Sequence, residues 1–288
     1  MTLAAGPRSA LNGAERSCKM SEIAGRHVLI TGGASGIGRL MVKKLAALGG
    51  RISVWDIDGN NLDKVVAEVN AAGREPARGF LCDVAQRENV YRVADETRAA
   101  AGVVDVLINN AGIVNGKGIL ELPDEKIAAT FAINTLSLFW TTKAFLPQMI
   151  ERGRGHVVTI ASAAGLIGVP KLTDYAASKW AAVGFDESLR AELRNSAPAI
   201  RTTVVCPFYI DTGMFHGVKS RFPWLLPILS EDHVASRIVS AIQRDQPRII
   251  MPPFVYLVPI MRVLPIGMFD WLATFFGVNA SMDAFKGR

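Results

Sequence analysis

Cysteine, histidine and clustered positive charge are what this sequence has least of, and each shortage removes a class of function. Cys18, Cys82 and Cys206 are far apart and form no CxxC pair, which fits reduced thiols in a cytosolic protein better than a disulfide framework. His27, His156, His216 and His233 show no metal-ligand spacing, so no metal is expected. The net charge of +6 over 288 residues is spread along the chain, with no Lys/Arg run and no interleaved aromatics; nucleic acid is therefore not an expected partner. The opening residues MTLAAGPRSALNGAERSCKM contain no apolar core, so they do not read as a secretory signal. Residues 1–24 read instead as a flexible leader. Near the other end, FVYLVPIMRVLPIGMFDWLATFFGV (254–278) is apolar but broken by Pro259, Arg262, Pro265 and Asp270, so a simple spanning helix is not expected.

From residue 25 onward, short β-rich runs alternate with longer amphipathic stretches. HVLIT (27–31), RISVWD (51–56), GFLCDV (79–84), DVLINNAG (105–112), HVVTIAS (156–162), TTVVCP (202–207) and RIIMP (248–252) read as strands. Helical spacing occupies 37–48, 61–72, 87–101 and 123–150. This pattern predicts an α/β fold, one doubly wound domain over residues 25–252 with a parallel sheet covered on both faces.

TGGASGIG (31–38) lies where the first strand meets the first helix. Glycines there permit a tight turn and let backbone N–H groups approach a pyrophosphate at the helix N-terminus; a tight βα turn alone is the less favoured reading of the cluster. Asp56 ends the second strand about twenty residues on, the offset at which an acid accepts hydrogen bonds from a ribose. A carboxylate at that point would repel the extra phosphate of NADP, so NAD is the expected cofactor and NADP the less favoured one. Arg39, next to the turn, faces solvent or phosphate in this reading.

DYAASKWAAVGF (174–185) sets Tyr175 and Lys179 four apart, on one helix face. A fixed ammonium near a phenol favours the phenolate and brings its titration toward neutral pH. By itself Tyr-x-x-x-Lys usually decorates an exposed helix face. Here it follows TGGASGIG, NNAG (109–112), Asn134 and Ser162 in order.

Together these motifs closely resemble the short-chain dehydrogenase/reductase family over residues 25–252. The resemblance implies a Rossmann domain with a seven-stranded sheet and a set of roles. Tyr175 would exchange a proton with the substrate oxygen, Lys179 would lower its pKa and hold the nicotinamide ribose, Ser162 would hold the substrate oxygen, and Asn134 would keep a water in the proton relay. Gly32, Ser35, Gly36, Ile37, Gly38, Asp56, Asp83, Val84, Asn109, Ala111, Gly112, Tyr175, Lys179, Pro207 and Thr212 would contact the dinucleotide. Ser162, Tyr175, Met214 and Phe215 would contact the substrate, with residues 208–230 as its loop. Phe215, Phe222, Trp224, Leu225 and Leu226 would give that loop a greasy inner face.

FWTTKAFLPQM, IASAAG, AAVGF, CPFYIDTGMF and MDAF are similar to the branch holding retinol dehydrogenases and lipid-droplet 17β-hydroxysteroid dehydrogenases. That branch implies a hydrophobic alcohol or its carbonyl partner: a retinoid, a steroid or a long-chain lipid alcohol. The alternatives are a generic carbonyl or 3-oxoacyl reductase on the same scaffold, or a non-catalytic dinucleotide-binding scaffold. The family also implies a homodimer or homotetramer through the helices at 123–150 and 174–193. Residues 253–288 would serve as a cap, an oligomer contact or a patch resting on a lipid surface. The expected location is cytoplasmic, with peripheral membrane contact through that patch.

Overall fold

Strands without polar alternation must be buried on both faces, and the computed structural model, which describes residues 22–72 and 75–287, buries them so except at the sheet-edge strand Arg78–Leu81, most of which is exposed. Cys18 and most of the leader lie outside the described residues. The strands are β1 (His27–Thr31), β2 (Arg51–Asp56), β3 (Arg78–Leu81), β4 (Val106–Asn109), β5 (Gly155–Ile160), β6 (Ile200–Pro207) and β7 (Arg248–Met251). They form one seven-stranded sheet in the order β3-β2-β1-β4-β5-β6-β7, parallel throughout.

Side chains alternate between the two faces. Val28 and Ile30 pack with α1 (Gly36–Ala47), α2 (Gly59–Ala71) and α7 (Glu231–Gln243) through Leu45, Val65 and Ile238. Leu29 and Trp55 point the other way, toward α3 (Arg87–Ala101), α5 (Ser137–Glu151) and α6 (Thr173–Ser196), meeting Val93, Phe145 and Leu189. Trp55 is fully buried, and its indole N–H donates to Thr97 Oγ1 at 2.9 Å, so the large ring brings no orphaned donor inside.

Two of the expected elements differ in a way that matters for the site. The third and fourth strands stop at Leu81 and Asn109, earlier than 79–84 and 105–112 suggest, because Asp83, Val84 and residues 110–112 leave the sheet as loops. The helix read over 123–150 is two helices, α4 (Asp124–Phe131) and α5, joined by a π-helical turn at Ala132–Leu136. Such turns are uncommon and frequently mark functional positions; this one carries Asn134.

His156 on β5 illustrates how the core sets pH behaviour. Its Nε2 lies 2.7 Å from Thr203 Oγ1, whose own hydrogen goes to the Gln246 carbonyl, so the imidazole is the donor. Burial pushes its pKa down to about 4 from the ordinary 6.5. The unfolded chain therefore takes up a proton between pH 6.5 and 4 that the folded chain refuses, and stability falls on acidification through that window by up to about 3 kcal/mol. Asp186, raised to about 7 by burial, has the opposite slope; it cancels when wild type is compared with His156→Gln. Denaturant unfolding at pH 7 and pH 4 should show wild type losing ground to the variant as the pH falls.

Beyond β7 the chain makes a 3-10 turn (Pro253–Leu257), α8 (Val258–Met261) and α9 (Ile266–Phe275), interrupted at Pro265 as the sequence indicates. Among the described residues no helix is long and apolar enough to cross a membrane.

Candidate active site

In an open parallel sheet the crevice forms outside the strand C-termini where the strand order reverses, here between β1 and β4. The glycine turn after β1 forms one lip. Asn110 ties it to the segment after β4: its Nδ2 donates to the carbonyls of Thr31 and Gly32 at 3.0 and 2.9 Å, and Thr31 Oγ1 accepts from the N–H groups of Asn110 and Ala111. A Cβ on Gly38 would run into the Gly32 carbonyl, so only glycine closes this turn. Gly36 has φ +52° and nothing within 4 Å of where its Cβ would be, which keeps the space above the helix open. Ser35 precedes α1 without capping it, whereas Asp58 caps α2 by accepting from Asn61 N. The first-turn N–H groups and the Ser35 hydroxyl thus face the cleft as an anion cradle of the kind a pyrophosphate fits.

Gly32, Ser35, Gly36, Ile37, Gly38, Asp56, Asp83, Val84, Ala111, Gly112, Tyr175, Lys179, Pro207 and Thr212 all line this one cleft. Asp56 Oδ2 accepts from Ala34 N and Oδ1 from Asp58 N, which fixes the carboxylate at the end of β2. Asp83 Oδ1 accepts from Ala85 N, holding that loop against the cleft. Asn109 departs from its expected place. It is buried with its Oδ1 2.8 Å from Thr141 Oγ1 of α5, and its neighbour Asn110 lines the cleft instead. The strand ends between them, so the first asparagine of NNAG keeps the strand's inward phase and the second does not.

Tyr175 and Lys179 project from α6 into the cleft, both about 95 % buried. Lys179 Nζ donates to the Ile160 carbonyl at the end of β5 (2.8 Å) and lies 5.7 Å from the Tyr175 ring centroid. Asn134 donates through Nδ2 to the Ile113 carbonyl and Ser178 Oγ, and accepts at Oδ1 from Ile113 N. One Oδ1 lone pair remains. Oδ1 and Lys179 Nζ would lie 3.3 and 3.5 Å from a Cβ on Gly112, so the carboxamide and the ammonium converge there. Asn134 therefore braces the wall behind Lys179; its side chain does not line the cleft.

The titration of the pair departs from the simple expectation. Burial pushes the Tyr175 phenol up to about 12, opposed by its hydrogen bond with Ser162, and burial draws Lys179 down to about 8. With the protein's own groups alone the phenol is a proton donor at neutral pH.

An apolar cavity adjoins the cleft, the two meeting at Ser162, Tyr175, Phe208 and Phe215. Its far wall is the inner side of the C-terminal helices: Val258, Met261, Phe269 and Ala273. Among the described residues, the polar side-chain groups lining it are the hydroxyls of Ser162, Tyr175 and Tyr209, and Tyr209 is bound to Ser281 at 2.9 Å. Phe215 stands edge-on to Tyr175 at the junction (5.8 Å), and Leu226 lines the cavity. Met214 lines the dinucleotide side, because Thr212 Oγ1 caps its N–H and turns it there. Trp224 is 80 % exposed and does not belong to the inner face. Sequence reasoning missed Asn110 and Tyr209: the first stands in a motif already singled out, the second in CPFYIDTG with nothing local to mark it.

The family model for short chain dehydrogenase matches residues 26–221. The chain is 40% identical over 272 residues to short-chain dehydrogenase/reductase family 16C member 6 of Bos taurus, covering 94% of this chain and 86% of that one. It is 42% identical over 268 residues to epidermal retinol dehydrogenase 2 of Mus musculus, covering 92% and 86%. A crystal structure of a short-chain dehydrogenase/reductase from Burkholderia phymatum in complex with NAD superposes with a TM-score of 0.76 at 28% identity, covering 85% of this chain and 95% of that one. With its Rossmann sheet, glycine turn and Tyr175–Lys179 pair, this chain belongs to the short-chain dehydrogenase family and is an oxidoreductase of the nicotinamide-dependent kind.

Proposed function

We propose that the protein moves a hydride between NAD(H) and the single hydroxyl or carbonyl group of an otherwise apolar lipid alcohol, of which retinol and long-chain alcohols are the type. One observation carries this reading: the hydroxyls of Ser162 and Tyr175, bonded to one another, both stand where the apolar cavity meets the dinucleotide cleft, so one substrate oxygen can engage the pair. A substrate with one oxygen can bury its tail and present that oxygen to both groups. A second oxygen at the far end would meet the apolar side chains of Val258, Phe269 and Ala273.

The residues divide the work by position. The glycine turn and Ser35 hold the pyrophosphate, Asp56 the adenosine ribose, and Asp83 and Val84 the adenine. Bound along this cleft, the nicotinamide supplies the hydride acceptor or donor. Ser162 Oγ binds the substrate oxygen, and Tyr175 receives the alcohol proton in oxidation or donates it in reduction. Lys179, fixed by the Ile160 carbonyl, favours the phenolate that oxidation requires.

The test is a panel read as kcat/KM with NAD. Leaving a buried hydroxyl unpaired costs about 1–3 kcal/mol, so a diol with a distal second hydroxyl should fall about five- to hundredfold below its mono-ol. Preference for 3-oxoacyl thioesters with NADPH would instead support the reductase alternative. We further propose that α8 and α9 rest on a lipid surface. Ile266 and Trp271 on α9 are 80% and 64% exposed, and Val263 in the turn before it is 84% exposed, while inner residues of α8 and α9 line the cavity, a shape suited to drawing a lipid directly inward. Vesicle co-sedimentation lost in Ile266→Ser/Trp271→Ser would bear this out. A homodimer through α5 and α6 is the companion expectation, supported by half-exposed Leu136 and Phe139.

A further inference from the structure

The last described residues, 281–287, do something the reaction does not by itself require. Ser281 and Met282 are buried; Ser281 Oγ meets the Tyr209 hydroxyl, its carbonyl accepts from Lys219 N, and Met282 packs in the cluster containing Leu172, Tyr175 and Val218. From this root the chain turns outward. Asp283 pairs with Lys171 at 3.1 Å in an exposed contact of little strength, and Lys286 N donates to the His216 carbonyl at 2.9 Å. The Phe285 ring then crosses to the opposite side and sits on Gly116, in the loop after β4. Gly116 has φ +69°, and a Cβ there would collide with the ring. Phe285, Lys286 and Gly287 line the same cleft as Gly36 and Tyr175. The tail thus joins the two loops that wall the catalytic end of the cleft, fixed firmly at its root and lightly at its tip.

We propose that residues 281–287 are a strap over the catalytic end of the dinucleotide cleft, with Phe285 on Gly116 as its latch, and that this latch must open for the dinucleotide to exchange. The proposal rests on the reading of this cleft as the dinucleotide site. The Phe285 ring is half-buried on the rim of the Met282 cluster and Asp283, Ala284 and Lys286 around it are exposed, the property expected of a segment that opens locally while the fold stays closed. Such openings often limit turnover through product release. The apolar substrate has a separate boundary, the wall made by α8 and α9, so lifting the strap exchanges the dinucleotide without dismantling the lipid cavity.

Release of NADH, followed by stopped-flow fluorescence with no alcohol present, is the test. Removing the half-buried ring in Phe285→Ala should speed release about tenfold, or about 1.4 kcal/mol, with Tm held within a few degrees; Phe285→Leu should restore most of the slower rate. Gly116→Ala should also speed release by displacing the ring, and the double variant should release no faster than the faster single, because both act through one contact. Release from Phe285→Ala within twofold of wild type, or effects of the two changes that multiply, would overturn the latch. Failure of wild type to bind NADH at all would overturn the dinucleotide reading beneath it, whereas failure of every alcohol as substrate would leave this experiment untouched.

Discussion

Tyr175→Phe is expected to lower turnover in both directions by about 10²–10⁴-fold while leaving NADH binding and Tm close to wild type. The lost atom is the phenolic oxygen alone, and the ring keeps its contacts with Leu172, Ala176 and Phe215. Positioned proton transfer contributes a factor of that size, and no other hydroxyl facing the cavity junction has a partner like Lys179 behind it. Burial places the phenol at about 12 and Lys179 at about 8, which gives the pH profile a sign. Oxidation needs the phenol as proton acceptor, so its rate should climb as pH rises from 7 and level off above about 8, where Lys179 loses the charge that favours the phenolate. Reduction needs the protonated phenol and should hold flat over the same range. An unchanged rate in the phenylalanine variant would move the proton transfer to another group.

Asp56→Asn should erase most of the discrimination between NAD and NADP. Two unit charges about 4 Å apart near a protein surface repel by about 4 kcal/mol. Asp56 is half-buried, and solvent screening leaves about half of that, or about thirtyfold, against the additional phosphate of NADP. The amide also forfeits one ribose acceptor, weakening NAD by a further factor of several. The ratio of the two dissociation constants should therefore shift by about two orders of magnitude toward NADP. Asparagine sets an NH₂ group against Ala34 N or Asp58 N, the two donors the carboxylate now satisfies. Some stability will be lost, but the ratio is insensitive to it. A ratio unchanged within threefold would remove Asp56 from cofactor selection.

The sheet and the polar frame of the site were legible because both are written locally. Apolar runs bounded by turns specify buried strands, and the glycines of TGGASGIG specify a turn that no other residue closes at Gly38. What sequence could not supply depended on phase or on distance. Asn109 and Asn110 are identical in type, and only the end of β4 between them decides which faces the cleft. The helix read across 123–150 concealed a π-helical turn, since one inserted residue scarcely disturbs a 3.6-residue pattern. The sequence shows the cation beside Tyr175 but not the depth of its burial, and desolvation dominates in the folded chain. The cavity wall joins α8 and α9 to residues almost a hundred positions earlier, as when Arg262 donates to the Leu166 carbonyl and stacks 4.4 Å over Trp180. No local periodicity announces such contacts.

Hydride transfer from the carbinol carbon of an apolar alcohol, at the junction of the two cavities, is the claim on which the rest depends. The direct measurement is to incubate the wild-type protein with NAD and a long-chain alcohol or retinol dideuterated at the carbinol carbon, then weigh the reduced dinucleotide by mass spectrometry. Reduced nicotinamide one mass unit heavier, formed in step with the aldehyde, is the predicted result. Aldehyde formed without label in the dinucleotide, or no reduction of NAD with any apolar alcohol, would contradict the account.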